Sequence, residues 1–154
     1  MVRLARSKPA SLLSSQIDQD PEELAALLDT NVAIYLRNDE RTVGFRSAAL
    51  IEPPKLSLVT RVELDGGIYA KPQFTTKRLA AVDIMLRSID VLDFDQRSAQ
   101  AYRAIVAQSG FSRRRVADRT IVATALVHDL TLVTMNGADF NDIAGLKLEV
   151  WDAA

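Results

Sequence analysis

Short apolar runs alternate with longer stretches of helical periodicity along this chain. The runs end at polar or breaker residues, as buried strands do, and they are Leu24–Leu28, Leu56–Val59, Ile89–Phe94, Leu130–Met135 and Leu148–Trp151. The first run is ambiguous, because Asp20-Pro21-Glu22-Glu23 before it has the composition of a helix start. Strands that alternate with helices predict an α/β fold with a parallel sheet between helical layers.

Apolar residues at helical spacing mark the segments between these runs. They predict helices at Thr30–Arg37, Glu40–Leu50, Thr60 to the Gly66-Gly67 pair, Thr75–Ser88, Gln96–Gln108 and around Asp118–Leu126. Asp95 is the expected cap of the fifth helix and Gly110 its expected stop. Thr60-Arg61-Val62-Glu63 at the start of the third helix also fits a capping box, in which the Glu63 side chain would reach back to the backbone N–H of Thr60.

The composition suits one folded domain. The chain has 154 residues, a mass of 17.0 kDa and 48% hydrophobic residues, enough for one core and too little for two. Residues 1–23 are basic, then Ser-rich, then acidic, and they contain too little apolar surface to pack. We therefore predict a flexible extension at 1–23 and a folded domain at 24–154.

Several kinds of chemistry are excluded by residue counts. The chain contains no cysteine, which excludes disulfides, thiolate zinc sites and cysteine nucleophiles, and its single histidine cannot supply a zinc-binding pair. The net charge of -1 gives none of the overall positive field of a strong non-specific nucleic-acid binder. The sequence shows no apolar run of membrane-spanning length and no apolar middle of a signal peptide, so we expect a cytoplasmic protein.

Four acids stand where strands end or helices begin: Asp29, Glu63, Asp118 and Asp139. Such positions face the crevice at the carboxyl edge of a parallel sheet. Carboxylates that meet in one crevice repel each other, so they must share protons or bind a divalent cation through their oxygens. The four acids therefore predict a metal site, and phosphodiester cleavage is a common use of one.

Each acid also has a local structural explanation. Asp29 suits an N-cap, and Glu63 suits the capping box. Asp118 suits the positive end of a helix or an ion pair with a neighbouring arginine, and Asp139 suits a turn. These four explanations would have to coincide at one edge of the sheet, which favours a shared site.

A basic run of three residues, Arg113, Arg114 and Arg115, precedes the helix of Asp118. A run of like charges is most often a solvated helix entrance. Here it also lies where it can steer a phosphate toward Asp118, so RNA binding is the alternative interpretation.

Four segments contain the acids in order: Leu27–Val32, Leu56–Leu64, Asp118–Leu126 and Leu130–Phe140. In order, spacing and flanking residues they resemble the PIN-domain ribonucleases, and among these the VapC-type toxins of bacterial toxin–antitoxin pairs. The resemblance covers essentially all of Leu24–Trp151. It departs from the family pattern after Glu63, where Asp65, Gly66 and Gly67 replace residues that are often bulkier.

The resemblance implies a three-layer α/β/α sandwich and an endoribonuclease. Asp29, Glu63, Asp118 and Asp139 would hold Mg²⁺ or Mn²⁺, and the substrate would be RNA. The implied partners are a cognate antitoxin protein and a second copy of the chain in a homodimer.

The resemblance also assigns supporting residues. Asn31, Thr134 and Asn136 stand where the family keeps polar side chains that orient the carboxylates. Asp142 is a possible substitute for Asp139, although its spacing fits the motif less well.

Two other functions remain open at this point. A phosphoacceptor signalling domain has a similar fold and would use Asp93 or Asp95, but it needs a lysine after the last strand of its pocket, and the only late lysine, Lys147, precedes its strand. A housekeeping PIN-type nuclease without an antitoxin is the second alternative. A dehalogenase-type phosphatase needs Asp-x-Asp on its first strand, whereas this chain has Asp29-Thr30-Asn31.

Overall fold

The computed structural model describes residues 25–152, so the predicted extension at 1–23 lies outside the described residues. Five parallel strands form one sheet: β1 (Ala26–Leu28), β2 (Lys55–Ser57), β3 (Val91–Leu92), β4 (Thr131–Thr134) and β5 (Leu148–Val150). Their order across the sheet is β3-β2-β1-β4-β5. The predicted parallel α/β sheet is confirmed.

The strand order reverses beside β1. The chain adds β2 and β3 on one side of β1 and then crosses to add β4 and β5 on the other side. In register, Leu28 at the end of β1 pairs with Leu56 of β2 and with Val133 of β4. Ligands of open α/β sheets bind at such a reversal, outside the carboxyl ends of the strands.

Both faces of the sheet are buried. Side chains alternate along a strand, so Ala26 and Leu28 enter one apolar cluster while Leu27 enters another. Strands that are buried on both faces read as continuous apolar runs. This is why the runs were visible in the sequence.

Helices cover both faces of this sheet. They are α1 (Thr30–Arg37), α2 (Arg41–Ala48), α3 (Leu58–Tyr69), α4 (Thr75–Ser88), α5 (Gln96–Ser109) and α6 (Val116–Val127). Helices α1 to α4 pack in the cluster of Leu28, and α5 and α6 pack in the cluster of Leu27, which gives the three layers that the resemblance implied. None of the helices within 25–152 is long and apolar enough to cross a membrane.

The start of α3 differs from the prediction. The helix begins at Leu58, and its cap is Ser57, whose hydroxyl accepts the backbone N–H of Thr60 at 3.0 Å. The predicted helix start at Thr60 is therefore wrong, and the capping box considered as an alternative role for Glu63 does not form, because Thr60 already lies inside the helix. Gly66 and Gly67 do not end the helix either, since α3 continues to Tyr69.

Candidate active site

Asp29 lies at the point where the strand order reverses. It follows β1 directly, and its backbone N–H donates to the carbonyl of Val133 in β4 at 2.8 Å. Strands β1 and β4 are neighbours on either side of the reversal. The acid is thus placed by the sheet itself, at the edge where ligands of this fold class bind.

The Asp29 carboxylate is a helix cap and a member of the acidic group at once. One oxygen accepts the backbone N–H of Thr30 at 2.8 Å, and the other accepts the hydroxyl of Thr134 at 2.8 Å. Asp29 is only 5% exposed. Burial raises the pKa of Asp29, the two hydrogen bonds oppose that rise, and the charges of Glu63 and Asp139 add to it.

A chain of buried hydroxyl groups leads to Glu63. The Ser57 hydroxyl donates to Thr60 Oγ1 at 3.1 Å, and Thr60 Oγ1 lies 3.0 Å from Thr30 Oγ1. Thr30 Oγ1 in turn donates to Glu63 Oε1 at 2.8 Å. Because the Thr30 hydroxyl hydrogen is directed at Glu63, Thr30 Oγ1 accepts from Thr60, and every hydroxyl in the chain points its hydrogen toward Glu63. The end of β2 and the start of α1 together orient this acid.

Asp118 enters the site from the other helical layer. It lies in the first turn of α6 and is half-buried. Burial raises the pKa of Asp118, and the charges of Asp29 and Asp139 raise it further, while Arg115 and Arg119 oppose the rise. Neither arginine forms an ion pair with Asp118 within residues 25–152, since Arg119 is committed to Asp142.

Asp139 lies on a short 3-10 turn, Gly137–Phe140, that follows β4. The Asn136 side-chain amide donates to its Oδ2 at 2.7 Å, and Arg115 Nη1 donates to its backbone carbonyl at 3.3 Å. A Cβ on Gly137 would stand 2.7 Å from Cγ2 of Val150. The turn therefore needs glycine where it begins, and it is held against both β5 and the start of α6.

Asp142 has a different partner. Both of its carboxylate oxygens accept from the guanidinium of Arg119, at 3.3 and 2.9 Å. The hydrogen bonds from Arg119 lower the pKa of Asp142. Arg119 is 5% exposed, so this pair holds the segment after Asp139 on α6. Its geometry favours Asp139 over Asp142 as the fourth acid.

We predict that Asp142→Asn lowers the free energy of unfolding while RNA cleavage is retained. The change leaves the buried Arg119 guanidinium with a weaker acceptor, at an expected cost of about 1 kcal/mol because Asp142 is half exposed. Since the pKa of Asp142 is lowered in the fold, its contribution is present at neutral pH and is lost as the pH falls through that pKa. Urea unfolding at neutral and acidic pH measures both effects.

Asp90→Asn is the control, because the pair of Asp90 with Lys55 is exposed. It should leave the unfolding free energy nearly unchanged. A loss of cleavage in Asp142→Asn with an intact fold would instead identify Asp142 as a member of the acidic group.

The basic run stands beside two of the acids. Arg114 and Arg115 line a pocket of about 310 Å³ together with Ser112, Asp118 and Asp139. All three arginines form a 3-10 turn, Arg113–Arg115, just before α6. Arg113 is exposed, but it does not line this pocket. Two of the three arginines thus lie where an anion next to the acids would meet them.

Of the three supporting residues that the resemblance implied, two contact the acids and one does not. Thr134 and Asn136 hydrogen-bond to Asp29 and Asp139, as described above. Asn31 is exposed on α1, and among the described residues its side chain makes no hydrogen bond. Thr30 and Ser57 were not among the predicted site residues. Thr30 follows Asp29 at the start of a predicted helix, and Ser57 lies inside the predicted strand Leu56–Val59, so neither position gave a local signal.

The donor set fits a hard divalent cation. All candidate ligands are carboxylate oxygens, and burial, with the charge of neighbouring acids added to it, raises the pKa of Asp29 and Asp118. Within residues 25–152, no three such side chains are grouped closely enough to enclose an ion by themselves. Mg²⁺ usually keeps several waters and takes one or two carboxylates together with substrate phosphates, so loosely spaced acids suit it.

Asp95, one of the two candidate phosphoacceptors, is a helix cap. Asp95 caps α5, since its Oδ1 accepts the backbone N–H of Ser98 at 2.9 Å and the Ser98 hydroxyl at 3.1 Å. Asp93 is exposed and lies two residues before that cap. Neither joins the group around Asp29, which weakens the interpretation as a phosphoacceptor domain.

Comparison with known proteins agrees with this geometry. A family model described as PIN domain matches residues 26–146. The tRNA(fMet)-specific endonuclease VapC of Shigella flexneri is 32% identical over 131 residues, which cover 83% of this chain and 98% of that relative.

Two solved structures are similar in fold. VapBC2 from Rickettsia felis bound to a DNA fragment from its promoter superposes with a TM-score of 0.73 at 25% identity, over 82% of this chain and 98% of that one. A toxin–antitoxin complex from Klebsiella pneumoniae superposes with a TM-score of 0.63 at 29% identity, over 79% of this chain and 94% of that one.

Proposed function

The chain belongs to the PIN-domain family, as a VapC-type ribonuclease toxin, and we propose that it hydrolyses RNA phosphodiester bonds at Asp29, Glu63, Asp118 and Asp139. The observation that carries this assignment is the position of Asp29, which is buried at the reversal of the strand order and accepts hydrogen bonds there from Thr30 and Thr134. Burial raises the pKa of Asp29, and a carboxylate perturbed in this way at the ligand-binding edge of a sheet is typical of catalytic sites.

We propose that these four acids hold Mg²⁺ or Mn²⁺. When bound, such an ion polarises a phosphate and makes a water available as a nucleophile near neutral pH. The protein's own part is orientation: Thr134 fixes Asp29, Thr30 fixes Glu63 and Asn136 fixes Asp139. Each of these three carboxylates accepts a hydrogen bond that orients it, which reduces the reorganisation needed in the reaction.

Arg114 and Arg115 supply the positive charge that the overall composition lacks. They line the pocket of Asp118 and Asp139, so an RNA phosphate that reaches these acids also meets two guanidinium groups. Planar guanidinium groups match phosphate oxygens in pairs. We assign these two arginines to RNA binding and place the activity in the cytoplasm.

The partners we propose are a cognate antitoxin and a second copy of the chain. The similar Klebsiella structure is a toxin–antitoxin complex. In this chain, an apolar cavity of about 740 Å³ between α1, α2 and α4 suits an apolar segment of an antitoxin, with Ile51 and Ile84 largely exposed at it. A separate apolar stripe on α3, formed by Leu58, Val62 and Tyr69, suits the homodimer contact.

We predict that the purified protein cleaves single-stranded or structured RNA only in the presence of Mg²⁺ or Mn²⁺. The acids cannot all stay ionised in one crevice without a counter-cation, and cleavage should stop when EDTA removes it. Gel analysis of a labelled RNA measures this. Undiminished cleavage in excess EDTA would contradict the mechanism. In a second experiment the product of the neighbouring gene is co-expressed, and its failure to suppress cleavage would argue for a housekeeping nuclease.

A further inference from the structure

A second cluster of positive charge lies away from the arginines of the acidic site. Arg37, Lys77 and Arg78 line a pocket of about 210 Å³ with Asn38, Phe74 and Ala81. Within residues 25–152, none of the three cations takes part in an ion pair. Cations that converge in this way without a carboxylate of the same chain favour an anionic ligand.

The two guanidinium groups are held in place by the protein. Arg78 Nη1 donates to the carbonyl of Gly67 at 2.7 Å, and its Cζ lies 5.3 Å from the centre of the Phe74 ring. Arg37 Nε donates to Asn38 Oδ1 at 3.2 Å. Burial lowers the pKa of Arg37, and the charge of Arg78 lowers it further, so the two like charges oppose each other.

Gly67 lies beside both guanidinium groups. A Cβ at this position would lie 3.4 Å from Arg37 Nη1, which is the near limit of an ordinary van der Waals contact. The glycine pair after Glu63 was a departure from the family pattern in the sequence. In the structure, the backbone carbonyl of Gly67 accepts from Arg78 Nη1, and the guanidinium of Arg37 lies next to the same residue.

Helices α1 and α3 connect the surroundings of this pocket to Asp29 and Glu63. Arg37 ends α1, the helix that Asp29 caps, and Gly67 lies one helical turn after Glu63 on α3. At about 1.5 Å of rise per residue, Arg37 lies roughly 10 Å along the helix axis from Thr30. The exposed face of α1 between them carries Asn31 and Tyr35, four residues apart, and the exposed C-cap Asn38 follows three residues after Tyr35.

We propose that the pocket of Arg37, Lys77 and Arg78 binds a backbone phosphate of the RNA that flanks the cleaved bond. The RNA strand then crosses the exposed face of α1, where Tyr35 is 39% exposed and provides a ring on which an RNA base stacks. Arg114 and Arg115 contact the RNA at Asp118 and Asp139, so cations hold the substrate on both sides of the acids. This inference rests on the proposed RNA cleavage.

The test measures the affinity for a single-stranded RNA at several salt concentrations, with all variants in an Asp118→Asn background so that the RNA stays intact. Each lost phosphate contact on a single strand reduces the slope of log Kd against log salt by about 0.7. Arg37→Gln and Lys77→Gln should each show this reduction and weaken binding several-fold at low salt. Arg37→Lys, which keeps the charge, should retain most of the slope.

Arg97→Gln is the matched control, because Arg97 is an exposed arginine on α5 that pairs with Asp95. Its slope should equal that of the parent. A shorter RNA that reaches the acids but not the end of α1 should bind the Arg37→Gln variant and the parent equally. Thermal unfolding of each variant shows that the fold is retained.

The outcomes separate this inference from the proposed function. If the parent binds RNA and the Arg37 and Lys77 variants keep its slope, the phosphate site is wrong while the nuclease assignment stands. The phosphate site is equally wrong if these variants weaken only the complex with an acidic protein segment. If wild-type protein neither binds nor cleaves RNA, the proposed function itself fails, and this inference fails with it.

Discussion

Asp29→Asn and Asp118→Asn are each expected to reduce RNA cleavage by roughly a hundredfold or more. Both changes remove a charge from the acidic group and keep the shape of the side chain. Asparagine is also a good N-cap, so Asp29→Asn can still accept the backbone N–H of Thr30. The loss should therefore come from the missing charge and not from a disrupted helix. Initial rates over a range of Mg²⁺ concentrations measure it.

The same two variants should be as stable as wild type without metal, or more stable. The fold raises the pKa of both acids above 3.8, their ordinary value, so folding favours their protonated forms. The contribution of these two acids to the wild-type unfolding free energy is then greatest below that value, and it falls as the pH rises through the raised pKa values. Each asparagine variant has no ionisable group at the replaced position, so that part of the fall in unfolding free energy is absent from it. Urea unfolding from acidic to neutral pH in EDTA compares them.

Added Mg²⁺ should reverse the order of stability at neutral pH. An ion that binds the folded state alone stabilises it by mass action, and wild type binds that ion more tightly than either variant. Asp83→Asn is the control, since Asp83 is exposed on α4 and should change neither cleavage nor the response to Mg²⁺. If Asp29→Asn or Asp118→Asn keeps wild-type turnover, the residue concerned is structural, and its assignment to the acidic site is wrong.

Glu63→Gln is expected to reduce the cleavage rate by roughly a hundredfold and to weaken the response to Mg²⁺. Glutamine can still accept the hydroxyl hydrogen of Thr30, so the hydroxyl chain and the fold should persist. Glu63 does not cap α3, because Ser57 does so. The free energy of unfolding should therefore change by well under about 1 kcal/mol. Rate and stability are measured on the same preparation.

Ser57→Ala separates capping from catalysis. It removes the side chain that accepts the Thr60 N–H, and it should cost about 1 kcal/mol of stability, as the loss of an N-cap does. Its Mg²⁺ titration should resemble that of wild type far more than the titration of Glu63→Gln does. A Glu63→Gln enzyme with normal rate and normal Mg²⁺ titration would leave a three-acid site of Asp29, Asp118 and Asp139.

The local pattern located most elements, and it failed where two elements share one apolar run. Apolar residues continue from β2 through Leu58 and Val59 into α3, so the sequence offered no visible boundary. The boundary is at Ser57, because its hydroxyl satisfies a free N–H of the first helical turn. The capping box was attractive on spacing alone, but Thr60 is fully buried and its hydroxyl contacts Thr30 instead.

By itself the sequence determined the alternation of strands and helices, the family and the identity of four candidate acids, because apolar runs and acids after strands are local patterns. The tertiary structure decided which groups orient those acids. Thr134 is 105 positions from Asp29, and Thr30 is 33 positions from Glu63. The tertiary structure also paired Asp142 with Arg119 and brought Arg37 close to Arg78. Such contacts depend on the packing of distant elements, and they leave no periodicity in the chain.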